Sequence, residues 1–186
     1  MPDLTVAGIP GSLRRNSFSG GLLDAAKELA PPGVAIEILD IRDFPVFNED
    51  DETRPPEPVR RFKERVRAAD AVLFALNEHN FALSAAEKNV VDWASRPSTD
   101  NVWNGKPAGI MSASVGRLGG ARAQYQLRVT MVSLNMFPIN RPEVIVTFAR
   151  EKYSADGRLT DEPTRAIIAQ HLTELARHTR ALRGLR

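Results

Sequence analysis

The chain contains no cysteine. That absence excludes disulfides, thiolate nucleophiles and cysteine-held metal or cluster centres, so any redox chemistry must be carried by a bound cofactor. Histidine is scarce too, with only His79, His171 and His178. The last two lie seven residues apart on a helical stretch, two turns and too far for a simple two-ligand site. No metal constellation is expected, and these two histidines read as solvated or partner-facing. Charge of one sign is also lacking: 25 Lys and Arg against 23 Asp and Glu leave a net +2, too little to argue for a nucleic-acid partner. No uninterrupted apolar run nears the ~20 residues of a bilayer span, and the N-terminus has no basic segment followed by an apolar core. A cytoplasmic protein without membrane attachment is expected. Surplus arginine gathers at Arg177, Arg180, Arg183 and Arg186, where cations suit a solvated helix C-terminus better than a binding patch.

What is present is enough for one core. The 186 residues, 42% of them hydrophobic, fit a single domain over 1–186 better than two. Apolar, β-branched runs alternate with helical patterns. Strands are predicted at 4–9, 34–39, 70–76, 107–113 and 137–147, and helices at 20–29, 56–68, 84–94, 119–134 and 162–182. Five strand–helix units predict an α/β fold with a five-stranded, doubly wound parallel sheet and helices on both faces. The run Ala71-Val72-Leu73-Phe74-Ala75-Leu76 is apolar on both faces and should lie centrally. Ligands of such sheets sit beyond the carboxyl ends of the strands, so the loops starting at Pro10, Asn77 and Ser112 should converge.

Each of those loops has its own chemistry. The first, Ile9 to Ser19, is a polar loop at a helix start. Free helix amides, the hydroxyls of Ser12, Ser17 and Ser19, and the Arg14 guanidinium suit a phosphate dianion without a metal. It lacks both the Gly-Lys-Ser/Thr ending of an NTPase loop and the three-glycine dinucleotide spacing. An ordinary serine-rich capping loop is an equal alternative. The second loop offers Glu78, His79, Asn80 and Phe81, a mixture of amides, imidazole and aromatic ring suited to the edge of a planar heterocycle. His79 has no serine or cysteine nucleophile beside it, so no catalytic side chain is assigned. The third, Ser112 to Arg122, carries Ser114, Gly116 and Gly119. Its glycines permit close approach to a flat ligand and its amides can face negative charge; a flexible loop needing glycine dihedrals is the plainer alternative.

Two further segments stand out. Asp40 to Pro58, with Phe44-Pro45-Val46-Phe47 inside it, reads as a surface loop anchored by two phenylalanines, with a pocket wall or subunit contact as the alternative. Arg150 to Asp161, with Asp156-Gly157, reads as a turn or hairpin extension.

Taken together, Gly11-Ser12-Leu13-Arg14 followed by Ser17, Phe47-Asn48-Glu49-Asp50, Glu78 and Asn80 with Lys88-Asn89, Asp92-Trp93 and Ser95-Arg96, and Ser112-Ala113-Ser114, Gly116, Gly119-Gly120 and Arg122 resemble the NADPH-dependent FMN reductase family of flavodoxin-like proteins. The family includes quinone, chromate and azo-dye reductases. The resemblance implies strand order 2-1-3-4-5, FMN as cofactor and NADPH or NADH as hydride donor. Ser12, Arg14, Ser17 and Ser19 would hold the FMN phosphate; Glu78, His79, Asn80 and Phe81 would line the isoalloxazine edge and ribityl chain; Ser114, Gly116 and Gly119 would flank the pyrimidine side. Hydride would pass from nicotinamide to flavin and then to a quinone or similar small-molecule electron acceptor, with the flavin performing the chemistry. A non-enzymatic FMN-binding electron carrier or regulatory flavoprotein is the alternative. A homodimer or homotetramer is implied, with Phe44–Phe47, Trp93 and Trp103 as candidate interface residues, Trp93 fitting a helix core equally well. Where the family usually reads Thr-Pro-Glu-Tyr-Asn, and Pro-Gly ahead of Leu-Lys-Asn, this chain has Leu76-Asn77-Glu78-His79-Asn80, and Ser84-Ala85 ahead of Glu87-Lys88-Asn89. The loop is therefore expected to take a different path.

Overall fold

In the computed structural model, which describes residues 2–184, the alternation becomes β1 (Leu4–Pro10), α1 (Phe18–Glu28), β2 (Val34–Ile38), α2 (Glu57–Ala68), β3 (Ala71–Leu76), the short β4 (Glu78–His79) and β5 (Ala82–Leu83), α3 (Ala85–Ser95), β6 (Pro107–Ala113), α4 (Ala121–Ser133), β7 (Phe137–Pro138), β8 (Val144–Val146) and α5 (Glu162–Arg183). The main sheet runs β2-β1-β3-β6, and both β7 and β8 pair with the far edge of β6. All its pairings are parallel. This is the expected order with its last strand in two pieces. The predicted strand 137–147 breaks because Pro138 and Pro142 have no N–H to give a ladder, and only Ile139 between the pieces donates to β6, at the Ala108 carbonyl (2.9 Å).

β3 is buried at every position and divides the core into two layers. Val72, Phe74 and Leu76 face a layer with Phe62, Val66, Val90, Ala94, Trp103 and Leu127. Ala71, Leu73 and Ala75 face the layer holding Leu22, Leu23, Ile168, Leu172 and Leu175. Period-two alternation with both faces apolar is what puts a strand between two helical layers.

Several surface readings change in three dimensions. Trp93 and Trp103 are 1% and 0% exposed within one chain, so neither is free to form a subunit interface. Trp93 Nε1 donates to the Pro45 carbonyl (2.9 Å), and Phe47 meets the indole edge-on at 5.0 Å. Phe44 packs on Phe62 at 5.2 Å, which makes the two phenylalanines anchors of the 40–58 segment. Arg180 and Arg183 are exposed in the last turn of α5, as expected, and also pair with Asp3 and Asp70, which ties the end of that helix to the chain beside β1 and β3. Arg177 pairs with Glu174 along the helix, and Arg186 lies outside the described residues. His178 is half-buried, with Nε2 3.2 Å from the Phe137 carbonyl.

His171 is also not solvated. It is 1% exposed, with Nδ1 2.7 Å from the Pro142 carbonyl, so Nδ1 carries the proton and Nε2 is left without a hydrogen-bond partner among the described residues. Burial, assisted by the Arg128 charge, pushes the imidazole below its ordinary value, with the Pro142 hydrogen bond opposing. The unfolded chain therefore binds this proton more readily than the fold, and stability should be complete above about pH 6.5 and fall as the pH drops below it. Thermal unfolding between pH 7.5 and 5 should show this decline, reduced in His171→Leu.

Among the described residues no helix is long and apolar enough to cross a membrane, and no group of three or more His, Asp or Glu is placed to hold a metal.

Candidate functional site

Because β1 pairs with β3 and β3 with β6, the loops leaving their carboxyl ends lie side by side. The first is tied to β3 by the Gly11 amide, which donates to the Ala75 carbonyl (2.8 Å). The chain then turns into α1, whose N-cap is Ser17, its hydroxyl accepting from the Gly20 amide (3.0 Å). Ser12 Oγ accepts from the Arg14 amide (3.2 Å). The amides of Leu13, Arg15 and Asn16 have no acceptor among the described residues. Arg14 is exposed, its guanidinium 5.9 Å from the Phe18 ring centroid. Ser19 is fully enclosed, and its hydroxyl lies 3.3 Å from that of Ser17, so it meets the loop's open side only through Ser17. An anion resting here would find free amides, two hydroxyls and an exposed guanidinium, which donates to the Asn16 carbonyl at 3.4 Å.

An open cavity of about 880 Å³ borders this loop on its β2 side, between Ser12–Ser17, Asp40–Arg42 and Asp156–Arg158. The second and third loops do not line it. The 154–158 turn is the expected hairpin: Tyr153 bridges to Leu159, and the Ser154 amide donates to the Arg158 carbonyl (2.9 Å). Tyr153 ties it to α1, donating to the Phe18 carbonyl (3.1 Å) and stacking edge-on to Phe18 at 4.9 Å. Burial raises the Tyr153 hydroxyl well above its ordinary value, so it stays a donor.

The second loop forms a two-residue hairpin between β4 and β5. Asn80 and Phe81 at its tip have φ of +50° and +67°, the turn that matches strand twist but strains a bulky residue. Phe81 is 72% exposed, and Arg122 covers one ring face with Cζ 3.6 Å from the centroid. Glu78 holds that guanidinium, accepting from Arg122 Nε (2.6 Å) and from the Arg122 amide at the start of α4 (3.1 Å). Its carboxylate thus joins the hairpin to α4. His79 is exposed on β4.

The departures at Asn77 and Ser84 become polar ties. Asn77 Nδ2 and Ser84 Oγ both donate to the Gly11 carbonyl, at 3.2 and 2.8 Å. Glu87, buried at the start of α3, accepts from the amides of Asn77 and Ser84, both at 2.7 Å. Burial lifts its carboxyl to about 8, with the hydrogen bonds from Ser84 and Asn77 opposing.

In the third loop Ser112 Oγ donates to the Gly119 carbonyl (2.7 Å), and Gln124 Nε2 donates to Ser112 Oγ (2.9 Å). Ser114 caps the turn, its hydroxyl accepting from the Gly116 amide (3.2 Å). Val115 to Leu118 form the exposed tip, while Gly119 is buried. Gly119 has φ +57°, and a Cβ there would lie 2.7 Å from Ile145 Cγ2; the position is held by packing against β8 as well as by torsion. Glu87, Asn77 and Tyr153 are additions to the expected residues. Ser84-x-x-Glu87 is a capping-box pattern in sequence, and nothing in that pattern says that the box lies under the first loop.

A parallel sheet of this order, with a hydroxyl-rich loop at the first helix and two further loops beside it, defines a flavodoxin-like fold. The comparisons with known proteins narrow this. The sequence profile of the NADPH-dependent FMN reductase family matches residues 4–151, and the chain belongs to that family. It is 47% identical over 183 residues, 98% of each chain, to an NAD(P)H-dependent FMN reductase of Pseudomonas aeruginosa. It is 44% identical over 191 residues, 98% of this chain and 95% of the relative, to an NADPH:quinone oxidoreductase of Arabidopsis thaliana. Among solved structures, the NAD(P)H:(acceptor) oxidoreductase FerB of Paracoccus denitrificans superposes with a TM-score of 0.86 at 34% identity, covering 96% of this chain and 98% of FerB.

Proposed function

We propose that the protein is an FMN-dependent NAD(P)H oxidoreductase that reduces quinones or similar small acceptors, the 186 residues acting as one FMN-binding domain in the cytoplasm. The observation that carries this reading is the convergence of a metal-free anion cradle at α1 with two loops on β3 and β6, in a chain of this family. The residues fit the cofactor: the free amides and hydroxyls of the first loop suit its phosphate, while Gly11, where a Cβ would lie 1.9 Å from Glu87 Oε1, lets that loop pack directly on α3.

When bound, FMN supplies hydride transfer between nicotinamide and acceptor. The protein's part is to bind and orient. Ser12, Arg14 and Ser17 hold the phosphate, with Ser19 supporting Ser17 from beneath. Glu78, His79, Asn80 and Phe81 border the flavin edge, where the Glu78–Arg122 pair sets the position of the hairpin. Ser114, Gly116 and Gly119 flank the opposite side. Tyr125, Val129 and Val132, exposed along one face of α4, are better suited than the buried tryptophans to a homodimer or homotetramer interface.

The visible spectrum of the purified protein with and without FMN, followed by anaerobic NADPH and then NADH, tests the assignment. Bound flavin bleached rapidly by either nucleotide is expected; bound flavin that stays oxidised indicates a carrier instead, and a colourless protein that ignores FMN refutes the reading. Arg14→Ala should weaken FMN binding by ~1.5–3 kcal/mol, the contribution of a charge-assisted hydrogen bond, or roughly 10- to 150-fold in Kd. Fluorescence titration of FMN measures it, and unchanged affinity would remove Arg14 from the site.

A further inference from the structure

Buried charged or strongly titratable groups are few: Lys63, Glu87 and His171. Lys63 pairs with Asp100 and His171 reaches the Pro142 carbonyl. Glu87 is different. It is 3% exposed, and what bonds to its carboxyl is backbone amide rather than cation. Those two amides, of Asn77 and Ser84, stand at the two ends of the second loop, and the side chains of the same two residues meet at the Gly11 carbonyl. One carboxyl thus clamps the loop at both ends and sits directly against the residue that opens the phosphate cradle.

We propose that Glu87 is a positioning residue for the cofactor, fastening the second loop beneath the first at Gly11, and that FMN binds preferentially to the protein in which this carboxyl carries its proton. The inference rests on the assignment of the Ser12–Ser17 loop to the FMN phosphate. An ionised Glu87 places a negative charge in a water-poor layer next to a site for a phosphate dianion, where repulsion is weakly screened. The other charged groups on the packed elements are engaged or exposed: Glu78 with Arg122 and Lys88 with Asp92, while Arg14 and His79 are exposed on the first loop and on β4. From α4 the neutral Gln126 accepts from the Leu83 amide. None of these neutralises Glu87. Burial already brings its ionisation to about pH 8; a bound dianion raises it further, so binding near that pH draws a proton into the protein.

The test is titration of the apoprotein with FMN, followed by flavin fluorescence, at pH 7 and pH 9, both above the second ionisation of a phosphate monoester near 6. Wild-type Kd should rise about tenfold between the two, a coupling within the usual range, whereas Glu87→Gln should change less than about twofold. A merely structural Glu87 would make the variant weaker by the same factor at both pH values, and an identical pH dependence in the two proteins would overturn the proposal. Should Glu87→Gln fail to fold, calorimetry of wild-type binding at pH 8 in two buffers of different protonation enthalpy decides: net proton uptake supports the proposal and none overturns it. Wild-type protein that binds FMN with pH-independent affinity defeats this inference alone; wild-type protein that binds none at either pH defeats the loop assignment together with it.

Discussion

Gly11→Ala should abolish the cofactor site while leaving most of the fold standing. A Cβ at this position would lie 1.9 Å from Glu87 Oε1, 2.7 Å from Glu87 Cδ and 2.8 Å from the Ala75 carbonyl oxygen. The Ala75 oxygen is backbone of the central strand and cannot yield. Glu87 is held at both oxygens by amides, so moving it releases the 77–84 loop. Either way the distance between the first and second loops changes, and a cofactor held by both loses alignment with one of them. FMN affinity should fall by at least ~100-fold, about 2.7 kcal/mol, with loss of the bound-flavin absorbance on purification. Gly184→Ala, at the far end of α5, is the control, because its Cβ would meet nothing nearer than the Ala181 carbonyl oxygen at 3.6 Å. Wild-type affinity in Gly11→Ala would show that the cradle does not depend on this contact.

Trp103→Ala should produce the largest loss of stability, about 3–5 kcal/mol, the usual cost of truncating a buried tryptophan. The indole is 0% exposed, packs at 5.5 Å from Phe74 on β3 and 6.1 Å from Phe62 on α2, and donates from Nε1 to the Val91 carbonyl on α3 (3.1 Å). Removing it leaves a cavity between three elements and strips one partner from a buried carbonyl. For a chain of this length the midpoint of thermal unfolding should fall by roughly 10 °C. Trp103→Phe should recover much of the packing and none of the hydrogen bond, and calorimetry of the two variants separates the contributions.

The fold was legible because its signals are local. The continuous apolar run at 71–76 and the helical periodicities around it predict the main elements to within a few residues, and a parallel sheet of such units has few ways to be ordered. The exceptions are the short β4–β5 hairpin, read in sequence as a loop, and the 137–147 strand, since the prolines at 138 and 142 show in sequence but not how far the chain must travel to rejoin β6. Serine at a strand-to-helix turn likewise marked the start of α1, whose N-cap is Ser17.

Burial and pairing were not legible. Trp103 and His171 look like interface or solvent residues, and Trp93 like either an interface or a core residue, until the elements around them close. The tail arginines stay exposed as their sequence suggests, but their partners Asp3 and Asp70 come from sequence positions more than a hundred residues away. Ser84-x-x-Glu87 reads as an ordinary helix start, and only the tertiary structure puts it against Gly11 of the first loop. Strand and helix periods, turn residues and the chemical types available at each loop are properties of short stretches of chain, and the sequence determined them by itself. Which side chains lose water, which charge meets which, and which backbone atoms forbid a Cβ depend on approaches between distant segments. Those were decided by the tertiary structure, because solvation and steric contact are set by what is packed against a residue.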